Sequence, residues 1–312
     1  MLSLVGNHKN AGKTTVLNAL IAARQDAVLG LTSIGLDGEE LDAISRLPKP
    51  RIRVRPGTLV ATAEQCLQGA EDAFEVLERT GLMTALGEVL IVQALKEGIV
   101  LVAGPARVKD MERLVDRLLQ LGARQVLIDG AFSRQSHAAA GEALIYVAGA
   151  QRARDMQVVA ASAGLALQKL RLPQAPDAFA FLKEERRPGW LDDQARFHPL
   201  PEDDPLAALP ADAAWLYLPG ALGPSLAQRI VRTRHSHRCG LIVTDPLALV
   251  LPDQEMRHLL VMGRSLLALR GLNVLFVAYN PFAPSGHRFD DAAFRDALSQ
   301  VTDLPLINVL EE

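Results

Sequence analysis

Cysteine is almost missing from this 312-residue chain: Cys66 and Cys239 stand far apart, with no Cys-x-x-Cys pair and no histidine-rich companion. That excludes a disulfide framework and a zinc site of the usual spacing, and it fits a reducing compartment. No apolar run approaches the ~20 residues needed to cross a bilayer. No Lys/Arg-rich run is present either, and with a net charge of −3 nothing marks a dedicated nucleic-acid surface. No leader-like segment stands before the first apolar strand, so the expectation is a cytoplasmic protein with neither a membrane nor a nucleic-acid partner. Lysine is scarce as well, at seven of the 33 basic residues. What remains is 49% apolar and 22% charged, the balance of a globular protein with one large or two ordinary domains.

Two of those seven lysines fall in one short segment, Leu4-Val5-Gly6-Asn7-His8-Lys9-Asn10-Ala11-Gly12-Lys13-Thr14-Thr15. An apolar strand precedes it and the helix-like Val16-Leu17-Asn18-Ala19-Leu20-Ile21 follows. Strand, loop, Gly-Lys-Thr and helix make a phosphate-binding loop: backbone N–H groups and a helix N-terminus face the phosphates, the lysine reaches the β/γ oxygens, and the threonine hydroxyl takes Mg²⁺. Asn7, Lys9, Asn10, Ala11, Gly12, Lys13, Thr14 and Thr15 are therefore the candidate nucleotide-binding residues, with Thr14 a metal ligand. The spacing is irregular. Asn7 stands where the first glycine of such loops belongs, and Asn is the non-glycine residue that best tolerates φ > 0, so the loop is expected to close through it. Lys9 suggests the signature lysine of the dimerising ATPase class, but it lies three residues before Gly12, and His8 holds the fourth place.

The first half alternates short apolar runs with helical stretches, the pattern of an α/β fold with a mostly parallel sheet flanked by helices, a three-layer P-loop NTPase sandwich. Strands are expected at 2–5, 27–34, 51–54, 99–103, 125–128 and 143–148. Residues 107–121 read as an amphipathic helix with Met111, Leu114, Val115 and Leu118 on one face and Gly122 as its C-cap. Seven prolines between Pro173 and Pro210 mark a linker or surface excursion. That divides the chain into a nucleotide-binding domain at 1–172, the excursion at 173–210 and a C-terminal α/β region at 211–312, either a layer of its own or an extension of the first sheet. Helices are expected there at 225–234, 254–269 and 291–301, with strands at 214–218, 240–244, 273–279 and 306–310.

A triphosphate site needs a carboxylate near its Mg²⁺. Asp129, closing Gln125-Val126-Leu127-Ile128 before Gly130, is the candidate catalytic acid and metal residue beside Lys13, although Asp-Gly equally ends an ordinary strand. Arg134 suits phosphate or solvent. Asp37 and Glu39 lie where a switch or substrate loop would, or in a plain loop. The segments at 55–58, 84–88 and 103–105 suit a ligand or a turn. Asn280-Pro281-Phe282-Ala283-Pro284-Ser285-Gly286-His287 follows a strong strand and reads as a ligand loop. His235 and His237 read as surface residues before metal ligands. No Asn-Lys-x-Asp guanine-reading motif occurs, so ATP is the expected nucleotide, with GTP left open.

Taken together, Lys-Asn-Ala-Gly-Lys-Thr-Thr at 9–15, Ser-Ile-Gly-Leu-Asp-Gly-Glu at 33–39, Pro-Gly-Thr at 56–58, Thr-Ala-Leu-Gly-Glu at 84–88, Ile-Asp-Gly-Ala at 128–131 and Asn-Pro-Phe-Ala-Pro-Ser-Gly at 280–286 are similar to landmarks of a known family. The chain resembles the P-loop subunit of the lysine 5,6-aminomutase reactivase family. The resemblance implies an ATP-driven helper that restores an adenosylcobalamin-dependent aminomutase, with a second reactivase subunit and the aminomutase as partners and a homodimer left open. No arginine finger or water-positioning residue can be named, so turnover is expected to be slow alone and to rise with a partner. No Asp-x-His-x-x-Gly motif for base-off cobalamin is present. Two other classes stay open: a small-molecule enzyme resembling dethiobiotin synthetase, and a nucleotide-gated adaptor with negligible turnover.

Overall fold

The computed structural model describes residues 1–8, 10–24, 26–34, 52–129, 143–233, 239–261 and 265–310. The chain divides into two compact units, one of Met1–Ala160 with Leu275–Glu312 and one of Ala161–Val274. In chain order the elements begin β1 (Leu2–Gly6), α1 (Lys13–Ala23), β2 (Leu29–Ser33), β3 (Ile52–Val54), β4 (Leu59–Ala63), β5 (Phe74–Thr84), β6 (Gly87–Ala94) and β7 (Gly98–Val100). They continue with α2 (Val108–Gln120), β8 (Gln125–Asp129), β9 (Ala143–Gly149), α3 (Met156–Leu170), β10 (Gly189–Leu191), β11 (Phe197–Pro199), β12 (Trp215–Leu218), α4 (Pro224–Arg232) and β13 (Gly240–Val243). The last are α5 (Asp253–Val261), β14 (Leu266–Ala268), β15 (Val274–Asn280), α6 (Asp291–Ser299) and β16 (Leu306–Asn308).

The first unit is mixed α/β around a nine-stranded sheet of order β16-β15-β9-β1-β8-β2-β4-β6-β5. Strand β1 lies between β8 and β9 and is parallel to both, and β2 is parallel to β8 and β4. The apolar residues alternate faces. Leu2, Leu4, Leu29, Leu31, Leu127, Ile145 and Val147 share a core with Val16, Leu17 and Ile21 of α1. Their neighbours Val126, Ile128, Leu59, Ala61, Val89 and Ile91 pack with Met111, Leu114, Val115 and Leu118 of α2. Period two in the strands and 3.6 in α2 thus bury the two faces of one sheet under different helices. The α2 face is the one the spacing predicts, and Gly122 follows the helix at φ 105°, beyond what an L side chain tolerates.

Part of the first half is not parallel. β4, β6 and β5 are antiparallel neighbours in that order, with the last strand of the hairpin, β6, between the other two, an arrangement that the alternating βα pattern does not anticipate. β5 is an edge strand with mostly exposed or half-buried residues, so it carries little hydrophobic alternation to read. Residues 84–87 are its hairpin turn: the Thr84 hydroxyl donates to the Gly87 carbonyl and accepts from the Leu86 N–H. Residues 55–58 form a turn closed by Thr58 N–H to the Arg55 carbonyl (3.0 Å), with Pro56 at its second position and Gly57 at φ 86°. Both segments are resolved as turns.

The second unit has its own sheet, β11-β10-β12-β13-β14, with β12, β13 and β14 parallel and β10 antiparallel to its neighbours. Strands β10 and β11 fall in the proline-rich stretch read as an excursion. The helix expected over 254–269 ends at Val261, and its last residues are β14 instead, paired to β13 as Leu241↔Leu266. From Val274 onward the strands join the first sheet. The sequence partition at 172 and 210 follows composition, whereas these units follow contacts. Among the described residues no helix is long and apolar enough to cross a membrane.

Leu114 is 2% exposed within the α2 core. Leu114→Ala is expected to destabilise the protein by about 2–5 kcal/mol, read from urea unfolding by circular dichroism; a loss under about 1 kcal/mol would contradict the packing of α2 on the sheet.

Candidate functional site

The site lies where β1 runs into α1. Asn7 follows the last strand residue, and its N–H donates to the Val147 carbonyl at 3.0 Å. Its carboxamide faces Gly149 at the end of β9: Oδ1 accepts from the Gly149 N–H (3.1 Å) and Nδ2 donates to the Gly149 carbonyl (3.4 Å). Asn7 is 4% exposed. The left-handed backbone expected at Asn7 is found instead at Asn10 (φ 62°) and Gly12 (φ 108°). Asn tolerates that conformation at position 10 as it would have at 7, and Asn7 is left free to pair across to β9.

Glycines permit two close approaches. A Cβ on Gly149 would lie 2.5 Å from the Ala11 Cα, so any side chain there would displace the loop. A Cβ on Gly6 would lie 3.3 Å from Lys13 Cγ, which places the lysine stem across the end of β1. Gly12 caps α1 without a side-chain hydrogen bond, and the first turn holds no acidic residue. The positive end of the helix is thus left unneutralised by its own residues. Thr14 is buried and Thr15 exposed.

Asp129 ends β8 in register with Leu4 of β1 and Ser33 of β2, and its carbonyl accepts from the Ile34 N–H at 3.0 Å. Lys13 and Asp129 interact electrostatically. Burial pushes the Lys13 ammonium below its ordinary value and the Asp129 carboxyl above its own, and the opposite charge of the partner resists each displacement. Among the described residues no three His, Cys, Asp or Glu side chains gather into a metal cage. An ion bound near Thr14 and Asp129 would therefore take its remaining ligands from water and from a bound molecule, as Mg²⁺ commonly does.

Comparison with family models, curated proteins and solved structures finds no match. The functional reading rests on the residues.

The structure places Asn7, Asn10, Ala11, Gly12, Lys13 and Thr14 in the loop and first helical turn after β1, and Asp129 at the end of the adjacent β8, within electrostatic reach of Lys13. Lys9, Asp37, Glu39, Gly130, Arg134, His235 and His237 lie outside the described residues. The 280–287 segment does reach the site. A Cβ on Gly12 would meet Asn280 Nδ2 at 3.0 Å, and Asn280 Oδ1 accepts from the Phe282 N–H at 3.0 Å. His287 Nε2 lies 3.0 Å from the Ala150 carbonyl. A carbonyl only accepts, so Nε2 carries a proton, and Nδ1 lies 3.2 Å from the Ser285 Oγ. Gly104, from the third loop singled out, is packed on β2: a Cβ there would meet the Ser33 carbonyl oxygen at 2.1 Å.

Two pairings escape sequence reasoning. Gly149 looks like any strand-ending glycine. The pairing of Asn7 with it spans 142 positions. In the second unit, Lys169 of α3 is 8% exposed, and burial pushes its ammonium down to about 8 against the pull of Asp245. A single lysine in an apolar helix gives no such signal.

Asp129 holds its proton more tightly folded than unfolded. Its contribution to stability therefore falls as pH rises from the unfolded value of about 4 to the raised folded value. Asp129→Asn is expected to remove that fall from the pH profile of the ligand-free protein, leaving the parts due to the other shifted groups: Asp245, raised by burial as Asp129 is, and acids such as Glu185 and Asp192, held low by hydrogen bonds and acting in the opposite sense. Urea midpoints between about pH 4 and about pH 8 measure it; a fall of unchanged size in the variant would overturn the burial of this carboxyl.

Proposed function

We propose that this protein is a Mg²⁺-dependent P-loop NTPase of the dimerising class that binds ATP and hydrolyses it slowly. The observation that carries the reading is Lys13 at the first position of an uncapped helix, its stem across Gly6 and its charge opposed by Asp129 on the neighbouring strand. In this reading the N–H groups of Gly12, Lys13 and Thr14 receive phosphate oxygens, as helix N-termini do. Lys13 neutralises the β/γ-phosphates. Thr14 and Asp129 are the residues that would hold Mg²⁺, Asp129 through water, and the ion would supply neutralisation of phosphate charge. An anionic ligand also gives the ammonium a partner, and a cation gives one to a carboxylate whose ionisation burial opposes.

The sheet order supports a direction for the nucleotide. Strand β8, with Asp129, is on one side of β1, and β9 with β15 is on the other. With the metal and terminal phosphates toward Asp129, the nucleoside extends toward residues 149–151 and the 280–289 loop. That loop is closed by the bonds of Ala283 N–H to His287 and Phe289 N–H to Pro281 (both 2.9 Å), and Phe282 is 44% exposed on it. The biological task, reactivation of an adenosylcobalamin-dependent aminomutase beside a second reactivase subunit, rests on the family resemblance alone.

Calorimetry with Mg·ATP, Mg·GTP and inorganic tripolyphosphate tests both levels. Lys13→Ala is expected to abolish binding of all three, and retained affinity would falsify the assignment. His287→Ala, which releases the 283–287 turn from Ala150, is expected to weaken Mg·ATP about tenfold, about 1.4 kcal/mol, while sparing tripolyphosphate. Equal weakening of both would refute the nucleoside direction.

A further inference from the structure

Asn7 fills the position where such loops ordinarily have glycine, and it is buried with its polar atoms engaged. Its N–H reaches Val147 and its carboxamide closes a two-bond ring on the Gly149 backbone. Gly149 is buried too, and its bare Cα supports Ala11, the residue before Gly12 and Lys13. Asn7, Gly149 and Ala11 therefore form a closed circuit between the end of β9 and the loop. We propose that Asn7 is a positioning residue for the nucleotide: it clamps Gly149 so that the Ala11–Thr14 backbone is held in its ligand-ready shape before the ligand arrives. The proposal rests on the phosphate-binding reading above.

Asn10 and Gly12 both adopt left-handed backbone, a conformation that glycine itself favours only weakly over others and that the unfolded chain seldom holds at both positions together. Something outside the loop must select it. The Gly149 surface does so, because the loop rests on it at van der Waals distance, and the Asn7 carboxamide fixes that surface. A glycine at position 7 would leave the Gly149 N–H and carbonyl buried without these partners, and they would seek water or another geometry. The loop would then be ordered only when the ligand binds, and affinity would fall by the cost of that ordering.

The test is a cycle of Asn7→Gly, Gly149→Ala and the double variant in the full chain. Tripolyphosphate and Mg·ATP binding are read by calorimetry, and amide exchange of residues 10–16 is read by mass spectrometry without ligand. Leu114→Ala, remote on α2, serves as a control for lost stability and is expected to bind as the wild type does. Asn7→Gly is expected to weaken tripolyphosphate about tenfold, to make the free loop exchange faster, and to shift the binding entropy unfavourably. The double variant is expected to bind no more weakly than Gly149→Ala alone, because both changes act on one contact. Wild-type affinity in Asn7→Gly, or a loss that adds in full to that of Gly149→Ala, overturns the clamp alone. A loss reproduced by Leu114→Ala also overturns it, by showing general destabilisation. A wild-type protein that binds neither tripolyphosphate nor Mg·ATP overturns the nucleotide reading, and the proposal with it.

Discussion

Gly149 has no side chain, and the backbone of Ala11 fills the space one would need. Much of the candidate site follows from that contact. It sets how near the end of β9 comes to the loop after β1, and so where α1 begins. With α1 placed, Lys13 crosses Gly6 and Asp129 of the adjacent strand becomes its electrostatic partner. Gly12 repeats the arrangement on its other side against Asn280. Gly149 is needed because the Ala11 backbone occupies the volume of its missing Cβ, whereas at Gly12, where the Asn280 amide could give way, the positive φ is what requires glycine.

The charges then form a balanced problem. Lys13 and Asp129 each lose hydration, and neither is cheap to bury alone. Together they partly offset one another, and burial still leaves the ammonium below and the carboxyl above its ordinary value. Such a pair is poorly suited to stabilising a fold and well suited to exchanging partners, since a polyanion and a cation could take over the two charges at once. The exposed ion pairs elsewhere, such as Lys96 with Asp72, lie in high dielectric and contribute little by comparison.

The sequence carried local information well. Strand β1, the helix that follows the loop and the apolar face of α2 are each written in fewer than about fifteen consecutive residues, where periodicity is a direct consequence of backbone geometry. The antiparallel β4-β6-β5 group is harder to read, because the exposed edge strand β5 has charged residues Glu75, Glu78 and Arg79 among its apolar ones. Strand β14 was absorbed into the helix before it because Leu266, Leu267 and Ala268 suit either state, and only the pairing with β13 decides. The least legible facts were those of partnership. Asn7 could be seen as a substitute for glycine, but the identity of what it touches lies 142 positions away, and no local rule reaches that far.

The first sheet is interrupted in sequence: the chain leaves after β9, builds the second unit, and returns with β15 directly beside β9. A ribosome makes Gly12 and its neighbour Asn280 268 positions apart, an interval on the order of ten seconds to a minute at ordinary elongation rates. Throughout that interval the nascent loop has one flank in place and the other still unmade. The β9 edge stays open to pairing with whatever extended chain is nearby. The order of manufacture therefore makes the segment from β15 to β16 the step that closes both the sheet and the loop, a long-range closure of the kind that folds slowly.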